Sequence, residues 1–273
     1  MRIFLIVILI IISSHCSFDN KTGIWNNTRQ NEADFKREKR FKDFETLYSK
    51  EKSFDKIIAP PIDLRISLDS VKTSNTWTDE FYQDTNNLDN FSYKNLNELL
   101  LKSSKLTRSK LNSRIYFDGT NVVAADQKGN IIVYSLEQDG VVLNYNFYKK
   151  KFKKIKKKLS IILKKNTIYV VDNIGYFYAL DYKNSKLIWA INNKVPFRSN
   201  LKVLGNKILA SDQNNVLHVI DKNTGDKLKK IPTEETILKN DFKNSLAVNN
   251  NSVVYLNTYG SLYSFDNENL RIN

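Results

Sequence analysis

Ile168-Tyr169-Val170-Val171-Asp172-Asn173-Ile174-Gly175-Tyr176-Phe177-Tyr178-Ala179-Leu180-Asp181 decides the fold. An apolar run ends on an acid, a glycine follows three residues later, and a second apolar run closes on another acid. Short runs rich in β-branched and aromatic side chains, bounded by turn residues, read as strands. The same phrase returns on both sides. Val122-Val123-Ala124-Ala125-Asp126 leads to Gly129 and Ser135. Ile208-Leu209-Ala210-Ser211-Asp212 leads to Asn215 and Asp221, and Val253-Val254-Tyr255-Leu256-Asn257 leads to Gly260 and Asp266. The residues closing the first runs, Asp126, Asp172, Asp212 and Asn257, stand 46, 40 and 45 residues apart. A period of about 40–50 residues made of short strands predicts an all-β protein, a β-propeller with one four-stranded blade per copy.

Columns through the copies test the period. Two positions past the turn residue stand Ile131, Phe177, Leu217 and Leu262; three past it stand Ile132, Tyr178, His218 and Tyr263. Neighbouring strand residues face opposite sides. Both faces of this strand are therefore apolar or aromatic, as a blade packed between two other blades requires, whereas a one-sided meander would alternate with polar residues. His218 reads as a packing residue in that column. The turns use Asn where glycine is scarce, because Asn tolerates the left-handed conformation and bonds its own backbone.

The second acid opens a further signature. Asp181-Tyr182-Lys183-Asn184-Ser185-Lys186-Leu187-Ile188-Trp189 and Asp221-Lys222-Asn223-Thr224-Gly225-Asp226-Lys227-Leu228-Lys229 are one hairpin. In it an Asp accepts backbone N–H bonds and Gly225 supplies a positive φ. Ala179 to Trp189 resembles the pyrroloquinoline-quinone-type propeller repeat, Ala-x-Asp-x-x-Thr-Gly-x-x-x-Trp. Thr224-Gly225 keeps the Thr-Gly that Asn184-Ser185 replaces, and Lys229 stands where Trp is usual. The resemblance implies that the Trp docks between adjacent blades, a role it gives to Trp189 alone.

The amino terminus reads as a targeting segment. Met1-Arg2 is basic, Ile3 to Ile12 is unbroken apolar sequence, and Ser13-Ser14-His15-Cys16 follows. Ten apolar residues are too few for a membrane-spanning helix, which needs about 20, but suit a signal peptide over residues 1–15. Cys16 is the sole cysteine, so no internal disulfide can form. Its position resembles the lipobox of bacterial lipoproteins, with His15 and Ser13 departing from the usual pattern. Lipid attachment at Cys16 and a stray cysteine after an ordinary signal or uncleaved anchor are both open readings. Residues 16–61 read as a polar tether with a short helix near 31–50, stopped by Pro60-Pro61. Residues 62–112 read as an entry segment: Ile62, Leu64, Ile66 and Leu68 alternate with polar residues as a half-buried strand, and 94–105 suits a short helix or cap. The repeats occupy 113–273.

An exported, lipid-anchored chain of such repeats, entered through Trp77 and an Asn-rich stretch, resembles the BamB family. These are propeller lipoproteins of the outer-membrane β-barrel assembly machinery. The resemblance covers about residues 75–273. It implies a non-catalytic scaffold on the periplasmic face of the outer membrane, membrane-attached through its lipid. The implied partners are the barrel subunit of the machinery and unfolded outer-membrane clients. Members close a ring of about eight blades. The 3.5 to 4 copies expected here imply a partial propeller whose ring this chain does not close alone.

Competing chemistries are weighed against that reading. Asp126, Asp172, Asp212 and Asp266 are oxygen donors of the kind Ca²⁺ needs. Their recurrence with the repeat instead marks them as structural turn posts, together with Gly129, Gly175, Asp181, Asp221, Gly225 and Gly260, so neither metal nor cofactor is expected. A quinone-dependent dehydrogenase or a polymer-binding propeller are the rival classes. Ser–His or Cys–His catalysis lacks parts, and no phosphate loop or zinc spacing occurs. The formal charge is +14 and the pI about 9.5. Lys149 to Lys158 holds eight lysines in ten residues. It reads either as a solvated edge strand and hairpin between blades or as a contact for anionic lipid or an acidic partner. The export signal argues against nucleic acid.

Overall fold

The computed structural model describes residues 59, 61–65, 67–73, 76–92, 99, 101–234 and 242–272. The signal segment, Cys16, the helix expected near 31–50 and nearly all of the tether lie outside the described residues. The chain divides into two compact units, 1–66 and 67–273. The strand expected over 62–69 does not form. Its described residues are turn or irregular, and Ile62, Leu64 and Leu68 face solvent. Alternation makes a strand only where a neighbour takes the backbone bonds; here Leu64 instead donates its N–H to the Pro61 carbonyl at 3.0 Å. Residues 101–105, in the stretch read as a short helix or cap, are irregular.

The second unit is a run of four antiparallel sheets, each a simple meander. Blade 1 comprises β1 (Leu111–Phe117), β2 (Asn121–Asp126), β3 (Asn130–Ser135) and β4 (Gly140–Asn146). Blade 2 comprises β5 (Leu159–Lys164), β6 (Thr167–Asp172), β7 (Tyr176–Asp181) and β8 (Lys186–Asn192). Blade 3 comprises β9 (Lys202–Leu204), β10 (Lys207–Ser211), β11 (Val216–Asp221) and β12 (Lys227–Pro232). Blade 4 has three strands, β13 (Ser245–Val248), β14 (Ser252–Leu256) and β15 (Leu262–Asp266), and Ile272 bridges to Phe265 along its outer edge. The pairing of third and fourth strands slips at one place in each four-stranded blade, after Val133, Ala179 and Val219. A bulge there increases the local twist of the blade.

Three apolar cores hold the blades together. Val133, Leu163 and Tyr178 belong to the core between blades 1 and 2, Phe177, Trp189 and Ile208 to that between blades 2 and 3, and Val219, Leu246 and Tyr255 to that between blades 3 and 4. No core cluster of the described residues joins blade 4 to blade 1, so these residues leave the ring unclosed. The two-faced burial read from the columns holds for blades 1 to 3, where Ile131, Phe177 and Leu217 are inaccessible. Blade 4 departs from it: Leu262 is 68% exposed, because its face carries no packed neighbour blade among the described residues.

Residues 76–92 fill the axis. Trp77 exchanges backbone bonds with Phe117 at the end of β1 (2.7 and 2.8 Å), and the Thr78 carbonyl accepts from Leu163 of β5. Lys202 of β9 donates to Asp79 at 2.7 Å and to the Gln83 carbonyl at 2.8 Å. The Asp84 carbonyl accepts from Val248 of β13, and Asn86 donates its amide to the Leu246 carbonyl. One segment thus touches the first strand of all four blades.

Candidate functional site

The posts form two columns that differ in one member from the sequence reading. Asp126 accepts the N–H groups of Lys128 and Asn130; Asp172 those of Ile174, Gly175 and Tyr176; Asp212 those of Asn214 and Val216. The fourth place belongs to Asn257, which accepts from Tyr259 and Ser261. Asp266 falls in the other column with Asp181 and Asp221: each accepts the N–H groups two and three residues on. Post oxygens committed to turn N–H groups are engaged in folding. Among the described residues no three His, Cys, Asp or Glu side chains gather to hold a metal.

The posts also clasp neighbouring elements. Burial pushes the Asp172 carboxyl up, opposed by the Tyr148 hydroxyl at 2.5 Å and the turn N–H groups. At Asp126 burial is outweighed by bonds from Asn130, Thr107 and Lys128, which hold its carboxyl below the usual range. Asn184 and the Asn184 and Lys183 N–H groups do the same for half-buried Asp181, and those of Thr224 and Asn223 for Asp221. Gly129, Gly175 and Gly260 take φ of 88°, 102° and 89°, and Asn215 takes 60° in the same place. At Gly129 a Cβ would lie 2.4 Å from the Tyr148 ring, so the turn needs glycine for space as well as for φ. His218 is buried, with Nε2 2.7 Å from Asp212 and its ring edge-on to Phe197.

Trp189 packs on the hairpin of the next blade. Its Nε1–H donates to the Lys222 carbonyl at 2.9 Å, and its ring occupies the space where a Gly225 Cβ would stand, at 2.8 Å. Lys229, in the same register position one blade later, donates to the Asn269 and Leu270 carbonyls at 2.8 and 2.9 Å. Docking is therefore not confined to Trp189: where the indole is missing, an ammonium bonds carbonyls further along the next hairpin. Composition hid this, since Lys229 is one of many lysines.

The lysine run is neither strand nor hairpin. It is the connection from blade 1 to blade 2, with a single 3₁₀ turn at Lys150–Phe152. Seven of its lysines are exposed, but Lys157 is buried, donating to the Phe152 carbonyl at 2.6 Å with Nζ 5.1 Å from the centre of the Tyr148 ring. Burial lowers its pKa against the pull of Asp126 and Asp172.

A cavity of about 520 Å³ lies where the first-column turns meet the axis. Each blade brings one cation to it from just before its first strand: Lys110, Lys158, Arg198 and Lys243. Arg114 adds a fifth, 5.8 Å over the Phe81 ring. Blades 1 to 3 also present the amide that follows the post, Gln127, Asn173 and Gln213. Among the described residues Glu80 of the axial segment is the one acid of the lining, 3.4 Å from the Ser160 hydroxyl and 3.7 Å from Lys243. The floor is apolar, with Tyr116, Ile161 and Phe197.

Repeated four-stranded meanders, clasped by posts and docked hairpin to hairpin, define a partial β-propeller of pyrroloquinoline-quinone-type repeats. The family described as outer membrane protein assembly factor BamB matches residues 76–272, and the chain belongs to that family. Among solved structures, the computationally designed Ika4 protein is similar at 13% identity and a TM-score of 0.50, over 63% of this chain and 99% of that one. BamB from Moraxella catarrhalis is similar at 12% identity and a TM-score of 0.44, over 61% of this chain. The chain spans about half (50%) of the length of that protein. None of the curated protein sequences matches it.

Proposed function

We propose that the chain is a non-catalytic scaffold of the outer-membrane β-barrel assembly machinery, held by a lipid on Cys16 to the periplasmic face of the outer membrane. The family match over residues 76–272 carries this reading. Two features of the fold support it. The recurring acids are spent on turn N–H groups, and among the described residues the outer strands β4, β8 and β12 are paired in a sheet on one side only. β12 is exposed along most of its length and lysine-rich, a guarded edge on which an extended client segment can add as a further strand. Affinity purification of the full chain from detergent-solubilised outer membrane is expected to bring down the barrel subunit of the machinery, and its absence would overturn the reading. Reconstitution with a quinone and Ca²⁺ is expected to give no dye reduction; turnover there would assign an enzyme instead.

A further inference from the structure

We infer that the axial cavity is a binding site for a compact ligand that carries phosphate. The inference rests on the cavity alone and stands or falls independently of the scaffold role.

The repeat itself builds the cation ring. Residues before the first strand pair with residues of the post turn: the Lys110 carbonyl accepts from Gln127, the Lys158 N–H donates to the Asn173 side chain, and the Arg198 N–H donates to the Ser211 carbonyl. The backbone thus fixes one basic side chain in each of blades 1 to 3 at the same end of the axis. Among the described residues, Lys110, Arg114, Lys158 and Arg198 have no carboxylate within ion-pair distance. Five cations against Glu80 give the described residues of the lining an excess of four positive charges. Concentrating like charge around a concave wall of low dielectric is costly without an anion, and it focuses the field inward. The side-chain amides of Gln127 and Gln213 have no partner among the described residues and can donate to the same ligand.

Size and chemistry set the ligand class. A volume of about 520 Å³ fits a small molecule or a lipid headgroup, within the usual range of about 300–1,000 Å³. Arg114 and Arg198 offer the planar fork that binds two phosphate oxygens at once, while the lysines act as point charges. The apolar floor leaves room for a ring or an acyl stub beside the phosphate. A phosphorylated metabolite and a phospholipid headgroup share this chemistry.

The test titrates the full chain with inorganic pyrophosphate by calorimetry, and separately with vesicles of phosphatidylglycerol or of phosphatidylcholine. Saturable pyrophosphate binding that weakens about tenfold in Arg198→Gln and in Lys158→Gln supports a soluble ligand. Selective binding to phosphatidylglycerol, lost in the same variants, supports a headgroup. Glu80→Gln should tighten either binding by about threefold, an effect that a damaged fold would not produce. Lys150→Gln with Lys154→Gln, in the exposed inter-blade turn, should leave affinity within about twofold. Absence of binding to both probes, or binding that survives the cavity variants, overturns the proposal. Equal loss in the inter-blade control does so as well, by reducing the effect to overall charge.

Discussion

At the scale of single residues, the blades are latched by side chains that cross from one hairpin to the next. Asp118, in the turn between β1 and β2, accepts the Tyr182 hydroxyl of blade 2 at 2.5 Å. Burial opposes its charge, but bonds from Tyr182, Asn121 and Thr120 prevail, and its pKa falls from 3.8 to about 2. A carboxylate depressed in the folded state stabilises fully above its ordinary value and loses that contribution as pH falls from about 4 to about 2. The gap in stability between the parent and Asp118→Asn should therefore be about 1 kcal/mol at pH 7, after allowance for solvent screening, and close below pH 4. Urea midpoints across that range check it, and a gap independent of pH would refute it. Gly225 and Trp189 form a second latch. Gly225→Ala meets both a φ of 81° and the indole at 2.8 Å, and should cost about 2–4 kcal/mol. In a Trp189→Ala background only the φ penalty of about 1–2 kcal/mol remains, so the two changes must couple in a double-mutant cycle.

At the scale of elements, the axial segment is bound by one buried ion pair. Lys202 and Asp79 are almost wholly inaccessible and 2.7 Å apart. Burial works against both charges, raising Asp79 and lowering Lys202, while each partner's field restores the other. Removing one partner strands the other in a dry site. Lys202→Met alone should cost about 3–5 kcal/mol, whereas Asp79→Leu with Lys202→Met should recover most of the loss. Equal destabilisation of single and double variants, by thermal melting, would show that shape and not charge seats the segment. This element was hidden in the sequence. Its residues have no hydrophobic period, and its hold on the blades is largely through main-chain groups whose partners lie far along the chain. The blades were legible because strand, post and turn recur at fixed spacing. Asp266 was misplaced because an Asp in the wrong column looks the same as one in the right column. The alternation at Ile62 to Leu68 misled for the opposite reason: a period-two pattern states which face is apolar, not whether a partner strand exists. The cation ring left only a faint trace, an amide after each of three posts, within a chain where lysine is everywhere.

At the scale of the whole repeat array, stability is carried by interfaces between blades, and the described residues contain three of them for four blades. In such an array each blade depends on its neighbours, so one register position has different worth in different copies. Leu217 and Leu262 are the same position of the repeat, yet Leu217 is inaccessible and Leu262 is 68% exposed. Leu217→Ser removes a core side chain and leaves a hydroxyl without guaranteed partners, and should cost about 3–5 kcal/mol. Leu262→Ser should change stability by no more than about 0.5 kcal/mol. Chemical denaturation of the full chain, read by tryptophan fluorescence from Trp189, compares the two directly. Similar large losses at both positions would mean that the outer face of blade 4 is covered in solution, by another part of the chain or by a second copy. Dilution separates these, because cover by a second copy weakens as concentration falls and cover by the same chain does not.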